Sequence, residues 1–346
     1  MVIAKKDKII DNPINSHENN KLNNRVDDNL KMKSNGDYIK SSNNLNKKYK
    51  NVNNFNIKIS LKDIKFTYKN GIHALDDITF NVEAGDFIGI IGPNGTGKST
   101  LLRILDGILK PQVGTILIQG IELNKYKLND LAKVIGYIPQ NSVSIFPTTV
   151  FDTVLLGRKP YIEWGSPTKK DIKITSEILY KLGLEEIAMR NITELSGGQL
   201  QKVLIARTLA QQPDIILLDE PTSNLDINHQ LEVLNLLRQE TKKNITVIIA
   251  IHDLNLAIKF CNKFIILNNG KIEAIGGKEV ISKSIIEKVF KVRVKIINDG
   301  TDLFIIPMIS NENEEDVITL DIISYDEKIN GNTKEKIEKE DIFTVQ

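Results

Sequence analysis

"IIGPNGTGKST", residues 90–100, places three glycines, one lysine and three hydroxyl side chains between an apolar run and the segment "LLRIL". Gly92, Gly95, Gly97, Lys98 and Ser99 fit the spacing G-x-x-x-x-G-K-[ST], in which backbone N–H groups wrap a phosphate chain. Glycines allow the φ angles and the close backbone approach that such a wrap needs. "DFIGII", Asp86 to Ile91, reads as a buried strand entering the loop. "STLLRIL" has helical spacing and no breaker, so the positive end of a helix points at the anion. In this arrangement Lys98 reaches the β- and γ-phosphates and Ser99 is a ligand for Mg²⁺. The segment therefore predicts a site for a nucleoside triphosphate.

Working outward, the chain of 346 residues is long enough to bury a full core. Its 46 basic and 44 acidic residues leave a net charge of +2, which gives no overall pull toward nucleic acid or a membrane surface. No run approaches 18 consecutive apolar residues, so no membrane span is expected. The N-terminus lacks the apolar core of a signal peptide. The single cysteine, Cys261, cannot form an internal disulfide, which suits the cytosol.

Residues 1–56 are rich in Asn and Lys and poor in large apolar side chains, and are expected to be a disordered tail. From Ile57 onward strands alternate with helices, which predicts a layered α/β domain over 57–297 with a largely parallel sheet. Within it the pattern turns helical at about 141–195. The remainder, 298–346, is expected to hold a hairpin, signalled by "NDG" between two alternating runs, and an acidic tail.

A phosphate loop alone serves many chemistries, so the next constellation matters more. "PDIILLDEP" predicts a buried strand, Ile215 to Leu218, ending in two adjacent carboxylates. Asp219 can hold a Mg²⁺ hydration shell, and Glu220 can polarise a water for in-line attack on a γ-phosphate. Upstream, "LSGGQLQKV" puts Ser196, Gly197 and Gly198 at a helix start, a second anion cradle. Two cradles on one chain suggest a head-to-tail pair of chains, each nucleotide held between the loop of one and the "SGGQ" of the other.

These motifs resemble the nucleotide-binding subunit of an ATP-binding cassette (ABC) transporter over about Ile57 to Ile306. In the family's order stand Tyr68, the loop of Gly92, Pro93, Asn94, Gly95, Thr96, Gly97, Lys98, Ser99 and Thr100, then Gln140 in "YIPQ" and the signature "LSGGQ" through Gln199. Asp219 and Glu220, "SNLD" ending in Asp226, and His252 in "AIHD" follow. The resemblance implies a P-loop NTPase fold with a mainly parallel core sheet, an antiparallel β subdomain and a helical subdomain. It implies that Tyr68 stacks on adenine, that Gln140 reaches Mg²⁺ or the attacking water, and that His252 holds the γ-phosphate, Glu220 and the water in line. Asp226 would organise the facing subunit.

ATP and Mg²⁺ are the implied cofactors. The implied partners are a second ATPase subunit, integral-membrane permease subunits and, indirectly, an extracytoplasmic substrate-binding protein, at the cytoplasmic face of the membrane and without nucleic acid. "TVFDTVLLGRKPY" and "HDLNLAIKFCNKFIILNNGKIEAIG" are similar to the importer branch that handles iron chelates, haem and cobalamin, and "GRKPY" falls where that branch docks its permease. Zinc or manganese and molybdate or tungstate importers share much of the pattern. ABC ATPases of DNA repair or of the ribosome usually carry a coiled-coil insertion or two cassettes, and neither is seen here.

Overall fold

The computed structural model describes residues 56–140, 147–162, 165–223, 225–298 and 302–308. The expected N-terminal tail to residue 55, the "NDG" turn residues 299 and 300, and the acidic stretch from 309 onward lie outside them.

Alternating apolar residues make two long antiparallel strands, β1 (Ile57–Thr67) and β2 (His73–Glu83), which join β4 (Val113–Ile118) and β5 (Ile121–Glu122) in a four-stranded sheet ordered β2-β1-β4-β5. Beneath it lies a six-stranded sheet. Its strands are β3 (Phe87–Ile91), β6 (Ile135–Ile138), β7 (Ile215–Asp219), β8 (Thr246–Ala250), β9 (Lys263–Asn268) and β10 (Lys271–Gly276), in the order β10-β9-β3-β8-β7-β6. All of its pairs are parallel except β10 with β9. The fold is thus the α/β class anticipated from the motifs.

Alternate residues of the central strands feed two separate cores. In β7, Ile216 and Leu218 face a cluster with the helices, while Ile215 and Leu217 face a cluster with the antiparallel sheet. β8 divides in the same way, with Val247 and Ile249 on one side and Ile248 and Ala250 on the other. Burial on both faces explains why these strands read as unbroken apolar runs. Each Ile or Leu so buried contributes about 1.5–3 kcal/mol.

The helices follow their own local signals. Thr168 caps α4 (Lys169–Lys181) with a reciprocal box to Asp171, and Ser196 caps α5 (Gly197–Ala210) with Gln199 in the same way. Asp226 caps α6 (Ile227–Thr241), Asp253 caps α7 (Leu254–Phe260) and Ser282 caps α8 (Lys283–Phe290). Short helices α1 (Lys98–Leu105), α2 (Leu128–Val134) and α3 (Val150–Leu155) complete the set, with a 3-10 turn over Leu156–Tyr161. Between β6 and α5 the described residues form helices and turns, with one isolated bridge between Thr149 and Asn191. The C-terminal hairpin expected around "NDG" is present as β11 (Val294–Asn298) paired with β12 (Leu303–Pro307). No helix among the described residues is long and apolar enough to cross a membrane.

One expectation changes at "GRKPY". Gly157 and Arg158 are buried, because the guanidinium turns inward to Asp171 at 3.0 Å and donates to the Ala210 carbonyl at 2.7 Å. The Tyr161 ring stacks 4.0 Å from it. These residues tie α4 to α5, and the large exposed apolar groups here are Tyr161 and, just before the segment, Leu156.

Candidate functional site

Because β3, β8, β7 and β6 run parallel side by side, the chain leaves all four at the same edge of the sheet. That edge is where α/β folds place their ligands. β3 leads into the glycine loop, β6 into Gln140, β7 ends at Asp219 before Glu220, and β8 leads through Ile251 to His252. Four stretches far apart in sequence therefore converge without any being long.

The loop owes its path to two glycines. Gly92 and Gly97 have φ of 156° and 102°, and a Cβ on them would stand 2.4 Å from the Leu267 carbonyl oxygen and 2.5 Å from that of Ala74. Any side chain would push the loop off the sheet edge. Inside the loop Lys98, 4 % exposed, donates to the carbonyls of Gly92 at 2.7 Å and Pro93 at 3.0 Å, and Thr96 Oγ1 donates to the same Pro93 oxygen. Burial pushes the Lys98 ammonium below its usual pKa, against the raising influence of Glu220 and Asp219. A desolvated cation at a helix N-terminus suits a polyanion.

Beside it Ser99 Oγ donates to Asp219 Oδ1 at 2.9 Å. Asp219 is fully buried, and burial pushes its carboxyl above the usual range, with the Glu220 charge adding to the rise. Its second oxygen, Oδ2, is buried without a hydrogen-bond partner. An orphaned carboxylate oxygen next to a serine hydroxyl fits a divalent cation, whose charge would offset that burial. Among the described residues no three His, Cys, Asp or Glu side chains group into a metal cage, so such an ion would draw its other ligands from phosphate and water.

Glu220 is held in the left-handed region at φ 52°, a conformation that costs a non-glycine residue about 1–3 kcal/mol. Its N–H donates to the Ala250 carbonyl at 3.1 Å, which anchors the strained residue to β8. The carboxylate is clasped from two sides: Gln140 Nε2 donates to Oε2 at 2.5 Å, and His252 Nε2 lies 2.5 Å from Oε1. Each oxygen retains a further lone pair, so a water can still donate to it. Of the three residues assigned to catalysis, Gln140 and His252 thus both touch the third, Glu220.

Tyr68 sits above the start of α1. Its hydroxyl pairs with Thr100 Oγ1 at 2.9 Å and its ring meets Phe66 edge-on with centroids 4.9 Å apart. The serine-glycine turn, with Gly197 exposed and Gly198 half-buried, and Asp226 form a separate element at the N-termini of α5 and α6, apart from the loop's hydrogen bonds. Asn224 lies outside the described residues. Motif spacing carries no signal for His229, whose Nδ1 stands 2.8 Å from Asp226 Oδ2. Its place three residues after a helix cap is the one hint, since i and i+3 side chains share a face.

Comparison with known proteins agrees with this geometry. The family described as "ABC transporter" matches residues 75–223. An uncharacterized ABC transporter ATP-binding protein of Methanocaldococcus jannaschii is 47 % identical over 241 residues, covering 69 % of this chain and 94 % of the relative. The ferric enterobactin transport ATP-binding protein FepC of Escherichia coli is 37 % identical, over 66 % of this chain and 87 % of its own length. A solved dimeric bacterial ABC transporter cassette superposes with a TM-score of 0.57 at 34 % identity, covering 63 % of this chain and 98 % of the cassette. With the phosphate loop, the paired carboxylates and these relatives in agreement, the chain belongs to the ATP-binding proteins of ABC transporters and hydrolyses ATP in a reaction coupled to transport.

Proposed function

We propose that this chain is the ATPase subunit of an importer for an iron-siderophore, haem or cobalamin-type cargo. Two copies would sandwich two ATP molecules and drive permease subunits from the cytoplasmic side of the membrane. The observation that carries the catalytic part is the clasp of Glu220 by Gln140 and His252 next to the buried Asp219–Ser99 pair. The relative that transports ferric enterobactin supports the cargo class, together with the resemblance of the segments around "GRKPY" and "HDLNLAIKF" to that branch.

The geometry and the family resemblance together support the following roles. Lys98 and the backbone amides of Gly95 to Thr100 would bind the β- and γ-phosphates, and Tyr68 would pack on the adenine. Ser99, Asp219 and Gln140 would hold Mg²⁺, which when bound neutralises charge on the phosphate oxygens. Glu220 would accept the proton of the attacking water, and its fixed backbone aims the carboxylate while the sheet holds the strain. His252, with Nε2 2.5 Å from Glu220 Oε1, would keep that carboxylate in line. Ser196, Gly197, Gly198, Gln199 and Asp226 would complete the pocket of the facing copy. Binding two nucleotides at a shared interface shifts an open–closed equilibrium, so the work derives from the difference in affinity between the two states.

For the permease, the exposed Leu156 and Tyr161, with Lys133 of α2 set 5.8 Å over the Tyr161 ring, supply an apolar face rimmed by charge. The test is uptake in cells that lack this gene. Accumulation of labelled ferric siderophore, haem or cobalamin should fall and return with the native gene. Loss of zinc, manganese or molybdate uptake instead would refute the cargo assignment.

A further inference from the structure

The serine-glycine turn and Asp226 start two helices, α5 and α6, and one side chain outside every motif stands between them. His229 lies in the first turn of α6. Asp226 Oδ1 accepts from the His229 backbone N–H at 2.9 Å, and Asp226 Oδ2 lies 2.8 Å from His229 Nδ1. The carboxylate acceptor fixes the hydrogen on Nδ1 and sets the ring's orientation.

The other edge of the ring packs under Gly198. A Cβ on that glycine would stand 2.7 Å from His229 Cδ2, 2.8 Å from Cγ and 3.0 Å from Nε2. Gly198 does not use a positive φ, so its backbone conformation would suit any residue. Room for the imidazole is what this position demands. One turn further along both helices, Lys202 and Glu232 close a second rung at 2.5 Å. Gln230 Nε2 donates to the Thr222 carbonyl at 3.0 Å, which fastens the same turn of α6 to the segment after β7.

We propose that His229 is a positioning residue that locks the Ser196–Gln199 turn to Asp226, so that both meet the nucleotide of a second copy of this chain as one rigid surface. The inference rests on the sandwiched-dimer reading above. Two independent elements would each lose freedom on closure, whereas a pair already joined loses less, and that difference appears as tighter association. An exposed pair such as Asp226 and His229 adds little to folding stability, so the fold survives its removal.

The experiment uses the full chain carrying Glu220→Gln, titrated with Mg-ATP and followed by light scattering. This parent should dimerise. Adding His229→Ala should raise the ATP concentration for half-dimerisation at least about tenfold, with the thermal midpoint and the nucleotide affinity of the monomer unchanged. His229→Asn, whose amide can replace the Nδ1 hydrogen toward Asp226 but not the ring beneath Gly198, should fall between the two. With Glu220 intact, His229→Ala should lower the Hill coefficient of ATP hydrolysis from about 2 toward 1. Equal dimerisation with and without His229 would overturn the proposal, as would a loss matched by a fall in thermal midpoint in both variants. A parent that stays monomeric at saturating ATP would overturn the sandwich itself and this inference with it.

Discussion

Glu220→Gln separates proton transfer from binding at this site. The substitution keeps the volume of the side chain and leaves the strained backbone and its bond to Ala250 in place. The carboxylate accepts from Gln140 Nε2 and stands 2.5 Å from His252 Nε2. A glutamine at 220 has one oxygen for His252, and its NH₂ can face Gln140 once that amide turns its own oxygen inward. The clasp therefore survives with little loss of stability, about 1 kcal/mol or less. What disappears is the capacity to take a proton. Removing a positioned base costs about 10²–10⁴ in rate, or roughly 3–5 kcal/mol of barrier at 1.36 kcal/mol per decade. ATP affinity should hold or rise, because Glu220 is a like charge beside Asp219 and beside the incoming phosphates. The assay is phosphate release at saturating Mg-ATP, paired with equilibrium binding of ATP to the same preparation. Turnover equal to the parent, with ATP still bound, would refute Glu220 as the proton acceptor.

Lys98→Ala should weaken ATP binding about 10- to 100-fold, since a hydrogen bond to a charged group contributes about 1.5–3 kcal/mol; an unchanged dissociation constant in a fluorescence titration would contradict the phosphate role. Asp106, the C-cap of α1, has its carboxyl pushed up by burial from 3.8 to about 7. The folded chain then binds a proton that the unfolded chain releases between these values, so stability is greatest at low pH and falls as pH rises through 7. Asp106→Asn should flatten that slope and stabilise the chain at pH 8 by about 1–2 kcal/mol, below the ceiling of about 4 set by the full shift, since the side chain is only half-buried. Thermal melts from pH 5 to 8 measure it, and parallel curves for the two chains would refute it.

The parts of this fold that a reader of the sequence can see are those that repeat or that leave no chemical choice. Strand β7 is visible because both of its faces are buried and its apolar run ends abruptly at two acids, and the phosphate loop because only glycine fits at 92 and 97. Parallel pairing then does the rest, bringing Gln140, Asp219, Glu220 and His252 to one edge through strand order alone. Choices of side-chain partner have no period and stay hidden. Arg158 reads as a charge on an amphipathic surface, yet it lies 2 % exposed because Asp171, Ala210 and Tyr161 together satisfy its guanidinium. Glu220 reads from its place after the strand as the carboxylate that polarises a water, yet nothing in its neighbours announces a left-handed backbone. His229 is the sharpest case, for Gly198 resembles a residue chosen for a ligand while its surroundings show it equally chosen for an imidazole. A glycine can thus answer to two neighbours at once, and only the packing around it reveals the second.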